Sequence, residues 1–341
     1  MKIHFILEPA SADEFLEAGR LAEQYGFEAV WAPNHLAARD PFMAFSALAR
    51  EPGTIRMGPV AISPFELHPV KMANQLLTLN EFSRGRANIV VGGGGGTTIA
   101  MHLKTDRYVM HPRMVRGVRE CVELLKGASA TEPLTFDGEL FQVDSYRPGW
   151  ATDAAPVVYV GATKRQMLRM AAQVADGVMF SDLTLGRLDE TMRILNAALA
   201  DAGRDTGDFR INNLFSWHVK RDRQEAVAEA RRKLWVRGML EHWYISPALN
   251  ERDCKFVAEN IQSFVNAYLA DSPVIDGVPD ELVDLLIDEL TFTGDLTDVD
   301  KLIERFWIFK EAGVNELALR LYDDPAYSIK VLGETVGPEL Q

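Results

Sequence analysis

A (β/α)8 barrel of the TIM type is the fold class this sequence predicts, and three observations predict it. Apolar, β-branched runs recur eight times, an amphipathic helical pattern follows each of them, and 341 residues suffice for one such barrel with insertions. Runs of this kind between amphipathic helices read as parallel strands covered on both faces. A doubly wound sheet is the competing architecture.

The elements follow in order. "KIHFILEP" is a strand; Ser11 then caps the helix "ADEFLEAGRLAEQYG", which Gly26 closes. "AVWAPNH" is the second strand and "PFMAFSALARE" the second helix. "TIRMGPVAIS" is the third strand, and "PVKMANQLLTLNEFSRG" is a third helix that His68 helps to start. "RANIVV" runs into five glycines, and "PVVYVGA", "DGVMFSD", "FRINNLFSWHVK" and "ELALRLY" complete the eight strands. The spacing predicts helices in "KRQMLRMAAQVA", "RLDETMRILNAALADAG", "DVDKLIERFWIFKEAG" and from Ala326 onward. Two segments exceed the repeat: a hairpin insertion at about 131–150 and a helical insertion at about 223–290. No low-complexity linker separates them, so residues 1–341 read as one domain with insertions.

The formal net charge of −13 argues against binding to nucleic acid or an anionic membrane, but leaves room for an anion in a local basic pocket. Only Cys121 and Cys254 occur, far apart, which excludes a disulfide scaffold and a thiolate zinc site. The N-terminus lacks a signal-peptide layout, and the expected location is cytoplasmic. No histidine pair has the HExxH spacing, no metal site is expected, and no GxSxG elbow supports nucleophilic hydrolysis.

In a (β/α)8 barrel the strand carboxyl ends carry the chemistry. Here they are Glu8-Pro9, Asn34-His35, Val60 to Ser63, the glycine run, Gly161 to Thr163, Ser181-Asp182, His218 and Tyr322-Asp323. The glycines lack the Lys-Ser/Thr of a P-loop and sit at strand four, away from the first βαβ unit of a dinucleotide site. They suit either a mobile loop or a place where backbone approaches a flat ligand. In "VGATKRQ", Thr163 is placed to cap the next helix, and Lys164 and Arg165 stand where the helix dipole prefers acids. An anion at that helix start would relieve the conflict; an ordinary exposed helix start is the plainer alternative. His35 is a candidate proton or hydrogen-bond donor, and His218 has a similar position with a weaker case. Arg232, Lys233, Trp235, Arg237, Trp243 and Tyr244 of the helical insertion either cover a pocket or form a helical core and subunit interface.

The block "HPVKMANQLLTLNEFSRGRANIVVGGG" resembles the third helix and fourth strand of the bacterial luciferase-like superfamily of flavin- and deazaflavin-dependent oxidoreductases. "AEQYGFEAVWAPNH", "TFDGELFQV", "PVVYVGATKRQMLRMAAQVADGVMF" and "FTGDLTDVDKLIERFWIFKEAGVNELAL" match its other landmarks in order, over about residues 1–220 and 290–338. The ending "GVNELALRLYDDPAYSIKVLGETV" is most similar to the F420-dependent branch, which includes methylenetetrahydromethanopterin reductase and sugar-phosphate dehydrogenases.

The resemblance implies a hydride transfer between coenzyme F420 and a small organic substrate, at the carboxyl-terminal face of the barrel. It implies a non-proline cis peptide at Val60-Ala61, with Ile62 beside it, backing the ring, and Gly93, Gly94 and Gly95 leaving space for it. It also implies that Gly161, Ala162, Thr163 and Lys164 surround the phosphate, and that the protein is a homodimer. Two positions depart from that branch: Asn34-His35 stands where Asp-His is usual, and Gly95 stands where an acid often follows the strand-four glycines. A proton donor then comes from His35, Glu8, Tyr108 or His102, and Asn34, His35 and Glu8 are the catalytic candidates. The alternatives are an FMN-dependent monooxygenase supplied by a partner flavin reductase, and a non-catalytic relative.

Overall fold

The structure, a computed structural model, describes residues 1–7, 10–94 and 111–340. In chain order the first elements are β1 (Lys2–Leu7), α1 (Ala12–Gln24), β2 (Ala29–Pro33), β3 (Arg56–Val60), α2 (Pro69–Phe82) and β4 (Asn88–Val91). After the undescribed stretch come α3 (Met114–Gly127), β5 (Leu134–Asp137), β6 (Gln142–Tyr146), β7 (Val157–Gly161), α4 (Arg165–Val174), β8 (Gly177–Ser181) and α5 (Leu185–Asp201). Then follow β9 (Arg210–Val219), α6 (Arg223–Lys233), α7 (His242–Ile245), α8 (Glu251–Glu259), α9 (Ile261–Leu269) and α10 (Asp280–Leu290). The chain closes with β10 (Thr291–Gly294), α11 (Val299–Glu311), β11 (Glu316–Leu321) and α12 (Pro325–Val331). The main sheet is mostly parallel and the fold is the (β/α)8 barrel. β5 and β6 stand apart as an antiparallel hairpin. No helix among the described residues is long and apolar enough to cross a membrane.

The chain divides into two compact units. The amino-terminal unit holds residues 4–179 and 194–212. Its strands pair in parallel, β1 with β2, β2 with β3, β4 with β7 and β7 with β8. Bridges Met57↔Ala87 and Ile62↔Val91 join the third strand to the fourth. Phe5, Ile6, Trp31, Met57, Ile89, Val91 and Tyr159 are fully buried, which explains runs that are apolar on both faces rather than alternating. Ser11 forms a capping box with Glu14 at the start of α1, and Gly26 ends it with φ at +71°, a conformation that disfavours other residues. His68 caps α2 by accepting from the amide of Val70 at 3.3 Å.

The second helix departs from expectation. Residues 41–51 form two short 3-10 turns, Met43–Phe45 and Leu48–Arg50, with hydrogen bonds closing over three residues. The burial pattern suits a helix, yet the Arg86 guanidinium takes the carbonyls of Ala49 at 3.2 Å and Glu51 at 2.7 Å. Those carbonyls are thereby satisfied without continuing a helix.

The carboxyl-terminal unit holds residues 1–3, 180–193 and 213–341. β10 pairs in parallel with β9 from Thr291↔Ser216 to Gly294↔Val219. This strand is absent from the sequence reading because it is four residues long, half of them threonine, and follows α10 without a turn. Phe292 packs on Phe215 at 4.8 Å and on Phe306 at 4.6 Å between ring centroids. The helices over 223–290 share one apolar core that includes Leu234, Tyr244, Val257, Phe264, Val283 and Leu286. Trp235 and Trp243 pack against that core, so the aromatic residues of this segment serve helix packing.

Candidate functional site

β2 and β3 run side by side as far as Pro33↔Val60, and the amide of Asn34 extends the ladder by donating to Val60 O at 3.0 Å. The Val60–Ala61 peptide is cis, the position implied by the resemblance. The chain rejoins the sheet directly afterwards: Ile62 N donates to Val90 O and Gly92 N to Ile62 O, each at 3.0 Å. Asn34 Nδ2 reaches over this junction to Ala61 O at 3.3 Å and to Glu66 Oε1 at 2.7 Å. Glu66 Oε1 also accepts from the amide of Ser63 at 2.6 Å. Burial pushes the Glu66 carboxyl above the usual carboxylate range, outweighing both hydrogen bonds. A cavity of about 230 Å³ opens here, lined by Asn34, His35, Asp40, Ile62, Glu66 and Gln75 among others. His35 is exposed on its rim.

At the end of β4 the glycines are tightly placed. A Cβ on Gly92 would stand 3.2 Å from Ala61 Cβ, and one on Gly93 would stand 2.3 Å from Met114 Sδ. Gly93 therefore admits the side chain of α3, and Gly94 has φ at +95°, where a side chain is strained. Gly95 and Glu8 lie outside the described residues, as do His102 and Tyr108.

β7 ends at Gly161, and Ala162 N donates to Met179 O at 3.1 Å. Gly161 is half-buried and Ala162 buried; Thr163 is half-buried and Lys164 exposed. Thr163 is not the cap of the following helix: Lys164 occupies that position in extended conformation, with no side-chain capping bond. The first-turn amides of α4 thus carry no side-chain cap, no acidic residue stands in that turn, and Arg165 is exposed beside them. Lysine has no acceptor atom with which to cap, so the helix start offers donors and positive charge to an anion.

The carboxyl-terminal unit contains a second polar group of residues, at the ends of β8, β9 and β11. His218 Nδ1 and Glu229 Oε2 are 2.6 Å apart, and Lys220 Nζ lies 2.6 Å from Glu229 Oε1. Asp323 N donates to the same oxygen at 3.0 Å. Burial lowers the His218 pKa, so the neutral ring donates from Nδ1, while Nε2 has no partner among the described residues. Burial opposes ionisation of Glu229, but the hydrogen bond from His218 and the charge and hydrogen bond of Lys220 outweigh it and hold the carboxyl low. His218 stacks on Tyr322 with centroids 5.0 Å apart. Tyr322 Oη accepts from Arg237 Nη2 at 3.1 Å, and Arg237 Nη1 pairs with Asp182 Oδ1 at 2.8 Å, with both charged side chains buried.

Sequence reading missed Glu66, Glu229 and the pairing of Arg237. Glu66 carries no motif; its one signal is its place three residues after a strand end. Glu229 and Arg237 lie in helical sequence whose partners on strands are remote along the chain.

The family model for luciferase-like monooxygenases matches residues 4–316. The chain is 27% identical over 327 residues to 5,10-methylenetetrahydromethanopterin reductase of Archaeoglobus fulgidus, with 94% of each chain covered. Among solved structures it is similar to the coenzyme F420-dependent tetrahydromethanopterin reductase of Methanopyrus kandleri, with a TM-score of 0.79 at 19% identity, over 100% of this chain and 99% of that one. An F420-dependent secondary alcohol dehydrogenase in complex with an F420–acetone adduct gives a TM-score of 0.78 at 18% identity, with the same coverage. These structures share the fold, and the match over residues 4–316 places the chain in the luciferase-like monooxygenase family.

Proposed function

We propose that this chain is an oxidoreductase that exchanges a hydride between the deazaflavin coenzyme F420 and a small organic substrate, at the strand carboxyl ends of its amino-terminal unit. The observation that carries this reading is the start of α4, where uncapped amides stand beside Lys164 and Arg165 with no acid in the turn. That donor set fits a phosphate, which F420 carries. The F420-dependent reductase and alcohol dehydrogenase that share the fold support the choice of cofactor.

When bound, the deazaflavin supplies a ring carbon that gives or takes a hydride. The chain's own residues bind and orient. Gly161 and Ala162 bring the backbone close to the phosphate, while Thr163, Lys164 and the first-turn amides hold it. Val60, Ala61 and Ile62 form a wall braced on β4, with Gly93 and Gly94 next to it. Asn34 and His35 line the cavity beside that wall and face the substrate. Glu8 and Gly95 belong to the same reading through the resemblance. The protein is taken to act in the cytoplasm as a homodimer, which light scattering of the purified protein checks.

FMN is the second reading. It also carries a phosphate, and the family's description as monooxygenases favours it; a partner reductase would then supply reduced flavin. Fluorescence titration separates the two. Saturable F420 binding with much weaker FMN binding is expected, and micromolar FMN binding without F420 binding overturns the proposal.

A further inference from the structure

The cavity at the ends of β2 and β3 contains a carboxyl group that no binding role yet explains. Both hydrogen bonds to Glu66 use Oε1, which accepts from Asn34 Nδ2 at 2.7 Å and Ser63 N at 2.6 Å. Oε2 has no hydrogen-bond partner among the described residues. Two donors on one oxygen fix the plane of the group and leave the other oxygen for a ligand.

The charged surroundings are sparse. His35 and Asp40, from the segment after β2, line the cavity with Glu66; α2 contributes Gln75, and no lysine or arginine among the described residues lines it. Among the described residues no ion pair reaches Glu66, and no charge acts on its carboxyl. Asp40 is engaged locally, its Oδ1 accepting from the amides of Phe42 at 3.0 Å and Met43 at 2.9 Å. In the cavity wall, Gln75 Oε1 is a buried acceptor without a partner among the described residues. A carboxyl O–H and an orphan acceptor complement a hydroxyl group, and among the described residues no lysine or arginine lines the cavity to favour a phosphate or a carboxylate.

We propose that Glu66 is a catalytic residue that exchanges a proton with the oxygen of the substrate, and that the substrate pair is a neutral alcohol and its carbonyl compound. The inference rests on the proposed hydride-transfer reading. In the reducing direction a C–H bond forms at the carbonyl carbon and the C=O π pair passes to oxygen. The Glu66 O–H bond breaks, its proton completes the hydroxyl, and a carboxylate remains, to be reprotonated from water. The two electrons come from the reduced deazaflavin. Oxidation runs the same steps backwards, with Glu66 taking the hydroxyl proton. A carboxyl whose pKa burial raises, with two neutral donors as its partners among the described residues, is suited to both directions.

The test reads Glu66 itself. Carbon-13 NMR of the glutamate carboxyls in the cofactor-free protein, assigned by comparison with Glu66→Gln, gives its titration with and without cyclohexanone as the probe. The expected results are a midpoint above the usual carboxylate range, a further upward shift with the ketone, and tighter ketone binding at low pH that becomes pH-independent in Glu66→Gln. An ordinary midpoint, or a Glu66 signal that cyclohexanone leaves unmoved, overturns the proposal. Glu66→Asp keeps the carboxyl and is expected to restore the pH dependence if Glu66→Gln folds poorly. F420 titration of the same proteins separates the two ideas. If F420 fails to bind wild type, the cofactor reading falls while the Glu66 titration still decides this one; if F420 binds and Glu66 titrates ordinarily, only this one falls.

Discussion

Glu66 and Glu229 both lie close to strand carboxyl ends, and their surroundings push them in opposite directions. Glu229 sits on α6 against β9, where His218 and Lys220, two residues apart, present their side chains to the same carboxylate. Glu66 meets an amide side chain and a backbone N–H, with no cation among the described residues. Burial opposes ionisation in both cases; the His218 hydrogen bond and the Lys220 ammonium reverse that at Glu229, and two neutral donors do not at Glu66. The first arrangement locks a charged group into the carboxyl-terminal unit. The second leaves a carboxyl able to change its protonation state, which is what acid–base chemistry requires.

The contrast breaks most visibly through stability. Glu229→Gln leaves Lys220 buried without its counter-charge and is expected to cost about 3–5 kcal/mol in urea unfolding. Glu66→Gln, which strands no charge, should change stability by no more than about 1 kcal/mol. Equal costs would mean that both carboxyls are structural.

Turnover reverses the order. With F420 and a carbonyl substrate found by screening, Glu66→Gln is expected to lower kcat by about 10²–10⁴-fold, with F420 affinity unchanged. Steady-state kinetics across pH check this, and an unaltered pH profile would count Glu66 out.

A smaller effect sharpens the comparison at α4. Lys164→Asp supplies the capping acceptor that the helix lacks and should add about 1 kcal/mol of stability. The same change sets a negative charge against the phosphate, weakening F420 binding about tenfold in a fluorescence titration. A stabilised protein with undiminished affinity would move the phosphate elsewhere.

The smallest effect is on stability against pH. Because the folded-state pKa of Glu66 is raised, the folded chain holds this proton more tightly than the unfolded chain. Its contribution is therefore present below the unfolded pKa and lost as pH rises through the folded one. Glu229, with a depressed pKa, contributes above the unfolded pKa and loses that contribution as pH falls through the folded one. Differences in unfolding free energy between wild type and each Gln variant should show the Glu66 slope above the ordinary carboxylate pKa and the opposite Glu229 slope below it, in a series that runs from acidic to neutral pH.

The architecture was legible because it rests on local patterns. The capping box at Ser11, the αL glycine at 26 and the runs buried on both faces are written within a few residues each. So was the basic, acid-free start of α4, although Lys164 rather than Thr163 turned out to hold the cap position. The helix expected over 41–51 is replaced by two 3-10 turns, and Arg86, thirty-five residues beyond Glu51, takes the carbonyls of Ala49 and Glu51. The glycine run was read as space for a ligand, yet at Gly93 the space is taken by Met114, a residue on the next helix.

What the sequence by itself determined is thus the alternation of strand and helix, the strand ends that can bear chemistry, and a family resemblance strong enough to place the cis peptide at Val60–Ala61. Tertiary structure alone decided which ionisable groups are neutralised and which are left open. That decision depends on partners brought together across the chain, Asn34 with Glu66 and His218 with Glu229, and on how much water each pair retains. Periodicity records which face of an element is buried; it carries no record of the charges that meet it there.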